Sequence, residues 1–378
     1  MAFPRLIGTK GEKRAIEIII DEFKKAGYKD IHREKFKTSF YVWIFTRYAF
    51  FVLSTLLIFL GIAFFFSDII AIVLASIFII SLFLVLKITS STDIKLMKDD
   101  KKNYETENIY TELKSKNSKA KVILMGHYDS KSQVISVYTR VLTITIVVLG
   151  GFILSLTYLI IGIVQLFSSL ESQLLNISLL CIAIFLAING YLNFFNKTGN
   201  LSPGAYDNAA AVGFIIEMAR FLREKPLENL DFIFLCTSSE ELNLGGAKDF
   251  LRRHRKEFDQ NYTYFINYDP VGGNELIRVI TSFGIPRKRS SEKLNKLFLK
   301  SAEKLDIKAE DYYLAVGGGS DYMPIVQEGF EACWISTTPG YKQVHTKKDD
   351  MSLVTIEGIK NVLYLTVDAL NQLNTDYS

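Results

Sequence analysis

The sequence predicts an α/β domain interrupted by two inserted membrane hairpins, four spans in all. Three observations predict it. The apolar residues gather in two long blocks almost free of charge. The polar remainder alternates helix-period and strand-period patterns. The strand-like runs end at histidine, aspartate or glutamate. Hydrophobic residues make up 49% of the 378 residues against 22% charged, an ordinary apolar share for a soluble chain, so it is the clustering that carries information. Only 7 prolines and 3 cysteines exclude a disordered, collagen-like or disulfide-framed chain. A net charge of +4 is too small to imply a polyanionic partner, so no nucleic acid is expected.

Between Arg47 and Lys87 the one charged residue is Asp68, and between Arg140 and Lys197 it is Glu171. A single helix needs about 20 apolar residues to cross about 30 Å of hydrocarbon. Each block therefore holds two spans joined by a tight turn, at Ser67–Asp68 in the first and between spans near 141–166 and 174–195 in the second. These helices lack the polar face that a water-soluble core helix shows. Tyr41, Trp43 and Tyr48 stand at the start of the first span, where amphipathic rings favour the lipid interface. The opening MAFPRLIGTKGEKR has no apolar stretch of the signal-peptide kind, so no cleavage is expected. Arg47, Lys87, Arg140 and Lys197 all flank the same side, supported by Lys35, Lys37, Lys95 and Lys131. Positive flanks stay cytoplasmic, which predicts a multi-pass protein of the cell membrane with its polar bulk in the cytoplasm. Cys181 in a span and Cys236 and Cys333 in apolar runs suit free thiols in a reducing compartment.

Because the number of spans is even, the remaining pieces share one side and can assemble. The expected division is 1–40, 93–136 and 197–378 in one discontinuous domain, with hairpins at 41–92 and 137–196. Residues 11–26 are apolar at helical spacing and stop before Gly27, a plausible C-cap. Runs near 30–38 and 108–114 alternate as half-buried strands do. Apolar strand-like runs follow at 121–125, 231–237, 262–268 and 332–338. A helix over 209–222 is preceded by Asp207–Asn208, which could cap it.

The runs end in groups that bind metals: His127 and Asp129 after the first, Glu240–Glu241 after the second, Asp269 after the third, His345 beyond the fourth. Open α/β sheets place their sites outside the carboxyl ends of strands, so these groups are expected to converge. Carboxylates and imidazoles without thiolate suit zinc, manganese or cobalt. There are more donors than one ion uses, and two ions bridged by a carboxylate would employ them all. The adjacent glutamates suit a division in which one binds metal and the other moves a proton. Asp129, two residues after His127 on an extended segment, can hold the second ring nitrogen.

The ordered series HYDS, GAYDNAAAVG, TSSEELNLGGAKDF, NYDPVGG, GGGSDYMP and VHTKKD resembles metallopeptidase family twenty-eight. That group includes leucyl aminopeptidases, aminopeptidase Y and glutamate carboxypeptidase relatives, with glutaminyl cyclases as outliers. The resemblance implies a three-layer α/β/α mixed-sheet zinc exopeptidase domain and two Zn2+ ions, with Co2+ or Mn2+ as substitutes. It implies His127 and Asp269 on one ion, Glu241 and His345 on the other, and Asp207 bridging both. Glu240 would be the general base and Asp129 the orienter of His127. The sequence departs from the family at Asp321–Tyr322, where many relatives have Asp-His, so that cleft wall is expected to differ. It also departs in spacing: the second hairpin separates His127 from Asp207. That hairpin leaves the chain just after a metal position, which places the site near the bilayer surface and suggests membrane-associated substrates.

The implied function is a membrane-anchored aminopeptidase that cleaves N-terminal residues from peptides with metal-activated water. The alternatives are an amidohydrolase of N-acyl or lipid-linked substrates, a carboxypeptidase, and a non-catalytic scaffold. A carboxypeptidase needs a basic clamp that the sequence does not display, and the complete ligand set opposes the scaffold. His254, in LRRHRKEF, reads as part of a solvated helix face, and the cations there and at 287–289 as surface charge. Gly317–Gly319 lack the lysine of a phosphate loop and read as a cleft wall.

Overall fold

The computed structural model describes residues 1–89, 104–168 and 172–378; Lys95 and Glu171 lie outside them. The chain divides into two compact units, one of residues 1–39, 92–132 and 199–378, the other of 40–91 and 133–198. Among the described residues the main sheet has nine strands: β1 (Ile31–Thr38), β2 (Tyr104–Leu113), β3 (Ala120–His127), β4 (Leu230–Thr237), β5 (Thr263–Tyr268), β6 (Leu276–Phe283), β7 (Lys288–Arg289), β8 (Ala309–Leu314) and β9 (Glu331–Thr338). The helices are α1 (Lys10–Lys25), α2 (Tyr41–Ala63), α3 (Asp68–Thr89), α4 (Val137–Phe167), α5 (Gln173–Phe195), α6 (Ala210–Glu224), α7 (Gly245–His254), α8 (Glu292–Lys304), α9 (Tyr322–Gln327) and α10 (Ile356–Asp376).

The sheet runs β1-β2-β4-β3-β5-β9-β6-β8, with β7 beside β6. Its centre, β4-β3-β5-β9, is parallel, and the antiparallel pairs lie toward its two sides. Period-two alternation sorts the central strands between two cores. Val122 and Leu124 of β3, with Phe232 and Phe234 of β4, face a cluster shared with α1, α6, α8 and α10. Their alternates Ile123, Met125, Ile233 and Leu235 face α7 and α9. A sheet buried on both faces in this way is the three-layer arrangement that parallel strands require.

Helix α1 begins one residue earlier than the sequence predicts, capped by the Thr9 hydroxyl, which accepts from the Glu12 N–H. Strands β6 and β8 escape the sequence reading. Their polar alternates (Arg278 in one, Glu310 and Asp311 in the other) dilute the apolar signal, and the Arg278–Glu310 pair at 2.9 Å joins them. The expected cap on α6 is corrected. Asp207 and Asn208 are non-helical, the N-cap residue is Ala209, and no side chain caps that end.

The second unit is a bundle of α2, α3, α4 and α5, each long and apolar enough to cross a membrane. Helix α4 starts before the predicted 141 and contains a π-turn at Ile146–Gly150. Leu53, Leu57 and Leu60 of α2 are buried with Ala183 and Leu186 of α5. The two helices approach so closely that a Cβ on Gly190 would stand 1.9 Å from Ser54 Oγ, the small-residue contact by which helices pack in lipid. The opposite faces present Val52, Phe59, Ile70 and Ile80 outward.

Candidate metal centre

His127 ends β3, whose neighbours β4 and β5 lie on opposite sides of it. Connections diverge there, which opens a crevice at the strand ends. Asp269 follows β5 directly, Glu240 and Glu241 lie in the turn after β4, His345 in the loop after β9, and Asp207 in the loop before α6. The β4 turn is tight, with Ser239 at φ +63°. Its path needs Gly246, because a Cβ there would lie 2.2 Å from the Ser238 carbonyl oxygen. Asp129 fastens this turn to β3: its carboxylate accepts the N–H of Glu240 at 3.2 Å and of Glu241 at 3.3 Å. The Asp207 loop is held by Asp349, whose Oδ1 accepts the Tyr206 N–H at 2.8 Å.

Two triads share Asp207. His127 Nε2 lies 3.1 Å from Asp207 Oδ1 and 3.5 Å from Asp269 Oδ1. His345 Nε2 lies 3.2 Å from Asp207 Oδ2 and 3.1 Å from Glu241 Oε1. Within each triad the donor atoms lie within 4.8 Å of one another, and all five residues are buried. The alignment is that of ligands around a point. His127 Nε2 makes no well-directed hydrogen bond although three carboxylate oxygens stand within 4.0 Å. Its other nitrogen, Nδ1, is turned to the Asp129 segment, 3.1 Å from the backbone oxygen and 3.5 Å from the carboxylate. An orphaned, fully buried ring nitrogen facing carboxylates fits a divalent cation, and the nitrogen–oxygen donor set fits zinc.

The electrostatics agree with that fit. Burial alone would raise Asp207, yet His127 and His345 hold its carboxyl far below the usual range. Burial likewise opposes ionisation of Glu241, but His345 and Lys131 bring it down to about 2. Glu240 goes the other way: burial pushes its carboxyl well above the ordinary value, with Asp269 and Glu241 adding to the rise. Two adjacent glutamates are thus driven apart, one fixed as a carboxylate and one able to carry a proton. The Glu240 carboxylate stands 4.0 Å from His127 Nε2.

All seven residues singled out in the sequence (His127, Asp129, Asp207, Glu240, Glu241, Asp269 and His345) meet at this crevice. Four supports had no sequence signal. Arg5, fully buried, donates to the carbonyl oxygens of Tyr128, Pro203 and Gly204 at 2.6, 2.6 and 2.8 Å, tying the loops of His127 and Asp207 together. Ser320 donates to Asp269 Oδ2, Lys131 pairs with Glu241, and Asp349 acts as described. Each lies far along the chain from its partner or outside any periodic pattern. Asp349 was visible as the last residue of VHTKKD, but nothing gave it a role. Two expectations are corrected. Tyr322 is no cleft wall but a core side chain against Trp334 and Phe283. His254 is not on a solvated face: it bonds Glu34 at 2.7 Å and packs on Phe250 and Tyr110, because α7 lies over the edge strands there. Its basic neighbours are paired, Arg252 and Arg253 with Asp249 and Arg255 with Glu328.

Residues 190–369 match the family model described as peptidase family M28. That stretch holds Asp207, Glu240, Glu241, Asp269 and His345, while His127 and Asp129 precede it. No curated protein matches the sequence. Among solved structures the chain is similar to an aminopeptidase from Aneurinibacillus sp. strain AM-1, with a TM-score of 0.55 and 13% identity, covering 98% of this chain and 90% of that one. It is similar to BSAP, a zinc aminopeptidase from Bacillus subtilis, with a TM-score of 0.54 and 15% identity, covering 98% and 91%. An Acidobacteriales bacterium glutaminyl cyclase also shares the fold, with a TM-score of 0.54 and 12% identity, covering 99% and 90%. Fold and site together define a hydrolase of the metallo-exopeptidase class. Its residues 190–369 are similar to peptidase family M28.

Proposed function

We propose that this protein is a membrane-anchored dizinc aminopeptidase. The observation that carries the reading is the pair of buried triads joined through Asp207, each offering one imidazole and one carboxylate of its own. His127 and Asp269 would hold one ion, Glu241 and His345 the other, and Asp207 both. Such ions supply Lewis-acid chemistry, polarising a peptide carbonyl and acidifying a water. The chain does the rest. Glu240, kept protonatable by burial, takes a proton from the attacking water and passes it to the leaving amine. Asp129 fixes the His127 ring and the backbone of both glutamates.

Residues 1–40, 93–136 and 197–378 form the peptidase domain in this reading, and 41–92 and 137–196 anchor it in the bilayer. The positive flanks Arg47, Lys87, Arg140 and Lys197 support a cytoplasmic domain. The second hairpin departs within a few residues of His127, which supports peptides presented at the membrane surface.

The test uses purified full-length protein, aminoacyl chromogenic substrates with their N-acylated analogues, and metal analysis. Hydrolysis of the free-amine substrates, lost with chelator and restored by zinc, is expected. Glu240→Gln should lower turnover by about 10²–10⁴-fold while metal content stays unchanged. Preference for the acylated analogues would replace the aminopeptidase by an amidohydrolase.

A further inference from the structure

Lys131 lies two residues beyond Asp129, and its side chain is 5% exposed. Its ammonium stands 2.7 Å from Glu241 Oε2 and donates to the Glu241 carbonyl oxygen at 3.3 Å. The other oxygen of that carboxylate, Oε1, is the one 3.1 Å from His345 Nε2. Glu241 is therefore divided, one oxygen turned to the metal position and the other to a buried cation. Asp269 is divided in the same manner but with a neutral partner. Its Oδ1 faces His127, and its Oδ2 accepts the Ser320 hydroxyl. The two triads match in composition and share Asp207; a full positive charge stands behind one and a hydroxyl behind the other.

We infer that Lys131 makes the Glu241–His345 position the weaker and more readily exchanged of the two divalent-cation sites. The inference rests on the two-ion reading above. A carboxylate in a charge-assisted hydrogen bond gives less electron density to a second cation, and an ammonium in a desolvated crevice repels an ion close by. Lys131 also holds the Glu241 side chain in place, which favours binding. That contribution is replaceable, because the Glu241 N–H is anchored on Asp129 and its Oε1 faces His345. The charge has no substitute. Lys131 is thus a positioning residue that acts on the ion through Glu241.

The experiment titrates metal-free, full-length protein with Zn2+ and with Co2+, reading the dissociation constant of each ion by calorimetry and by the cobalt absorption bands. The wild type is expected to bind two ions with unequal affinity. Lys131→Met should tighten the weaker site by about tenfold or more, the Coulomb repulsion of a nearby ammonium being removed, and leave the tighter site unchanged, which also reports an intact fold. Lys131→Arg, which retains the charge, should keep the gap. Two ions in the wild type with an unchanged or weakened second site in Lys131→Met would overturn the role of Lys131 and leave the two-ion reading standing. So would a Lys131→Arg variant whose second site tightens as the methionine variant is expected to. A wild type that takes up one ion at saturation would instead remove the two-ion reading itself.

Discussion

At the scale of single residues, Asp207 carries the largest consequence. Both of its oxygens are committed, Oδ1 toward His127 and Oδ2 toward His345, so one substitution strikes both triads. Asp207→Asn keeps the shape and removes the charge that, in the proposed reading, would hold two cations together. It is expected to leave less than one ion per chain after dialysis and no measurable hydrolysis, read by elemental analysis beside a rate assay; a variant retaining two ions would contradict the bridging role. The candidate residues at the strand ends were legible in the sequence because each ends or follows a short apolar run, and metal ligands come from few residue types; Asp207, which precedes a helix, was singled out only through the resemblance. The supports were not. Arg5 works through backbone carbonyl oxygens, which have no sequence signature, and Lys131 and Ser320 are of types that usually lie in water.

At the scale of elements, the β3–β4–β5–β9 centre was readable because strands buried on both faces appear as unbroken apolar runs. Strands β6 and β8 were not, since one buried and one half-exposed face dilutes the pattern. Helix α7 illustrates the same limit: its charges suggest a solvated cylinder, yet tertiary contact with β1 buries His254 against Glu34. That contact sets a pH dependence. Burial disfavours charge on Glu34, but its bond to His254 holds it below its usual value, while the bond to Glu34 raises His254 against burial. A raised histidine stabilises the fold fully below its unfolded value of 6.5 and loses that contribution as pH rises through the higher folded value. The lowered glutamate sets the acid limit in the opposite sense. The melting temperature of His254→Gln should fall furthest below wild type a little below pH 6.5 and approach it as the pH rises past the raised folded value. A gap that widens with rising pH would refute the linkage.

At the scale of the whole molecule, the chain separates into a catalytic-type unit and a helical unit, and the sequence marks the boundary by charge alone. Two apolar blocks between basic residues became four helices with outward-facing apolar side chains. The orientation predicted from their flanks is open to measurement. Cysteines introduced singly at Ser67 and at Lys116, in an otherwise cysteine-free protein, should label from opposite sides of sealed vesicles with an impermeant reagent. Labelling of both from one side would contradict the four-span arrangement.

The order in which the sheet is threaded bears on how the protein is made. Strand β3 sits at the centre, yet both its neighbours, β4 and β5, are translated only after residue 199. When a ribosome has delivered the second hairpin, five of the seven crevice residues are still unsynthesised and β3 has no partner on either edge. In the proposed membrane-anchored reading, integration of both hairpins would therefore precede completion of the sheet. The nascent segment from 104 to 132 has to be kept from pairing elsewhere until β4 and β5 have been translated.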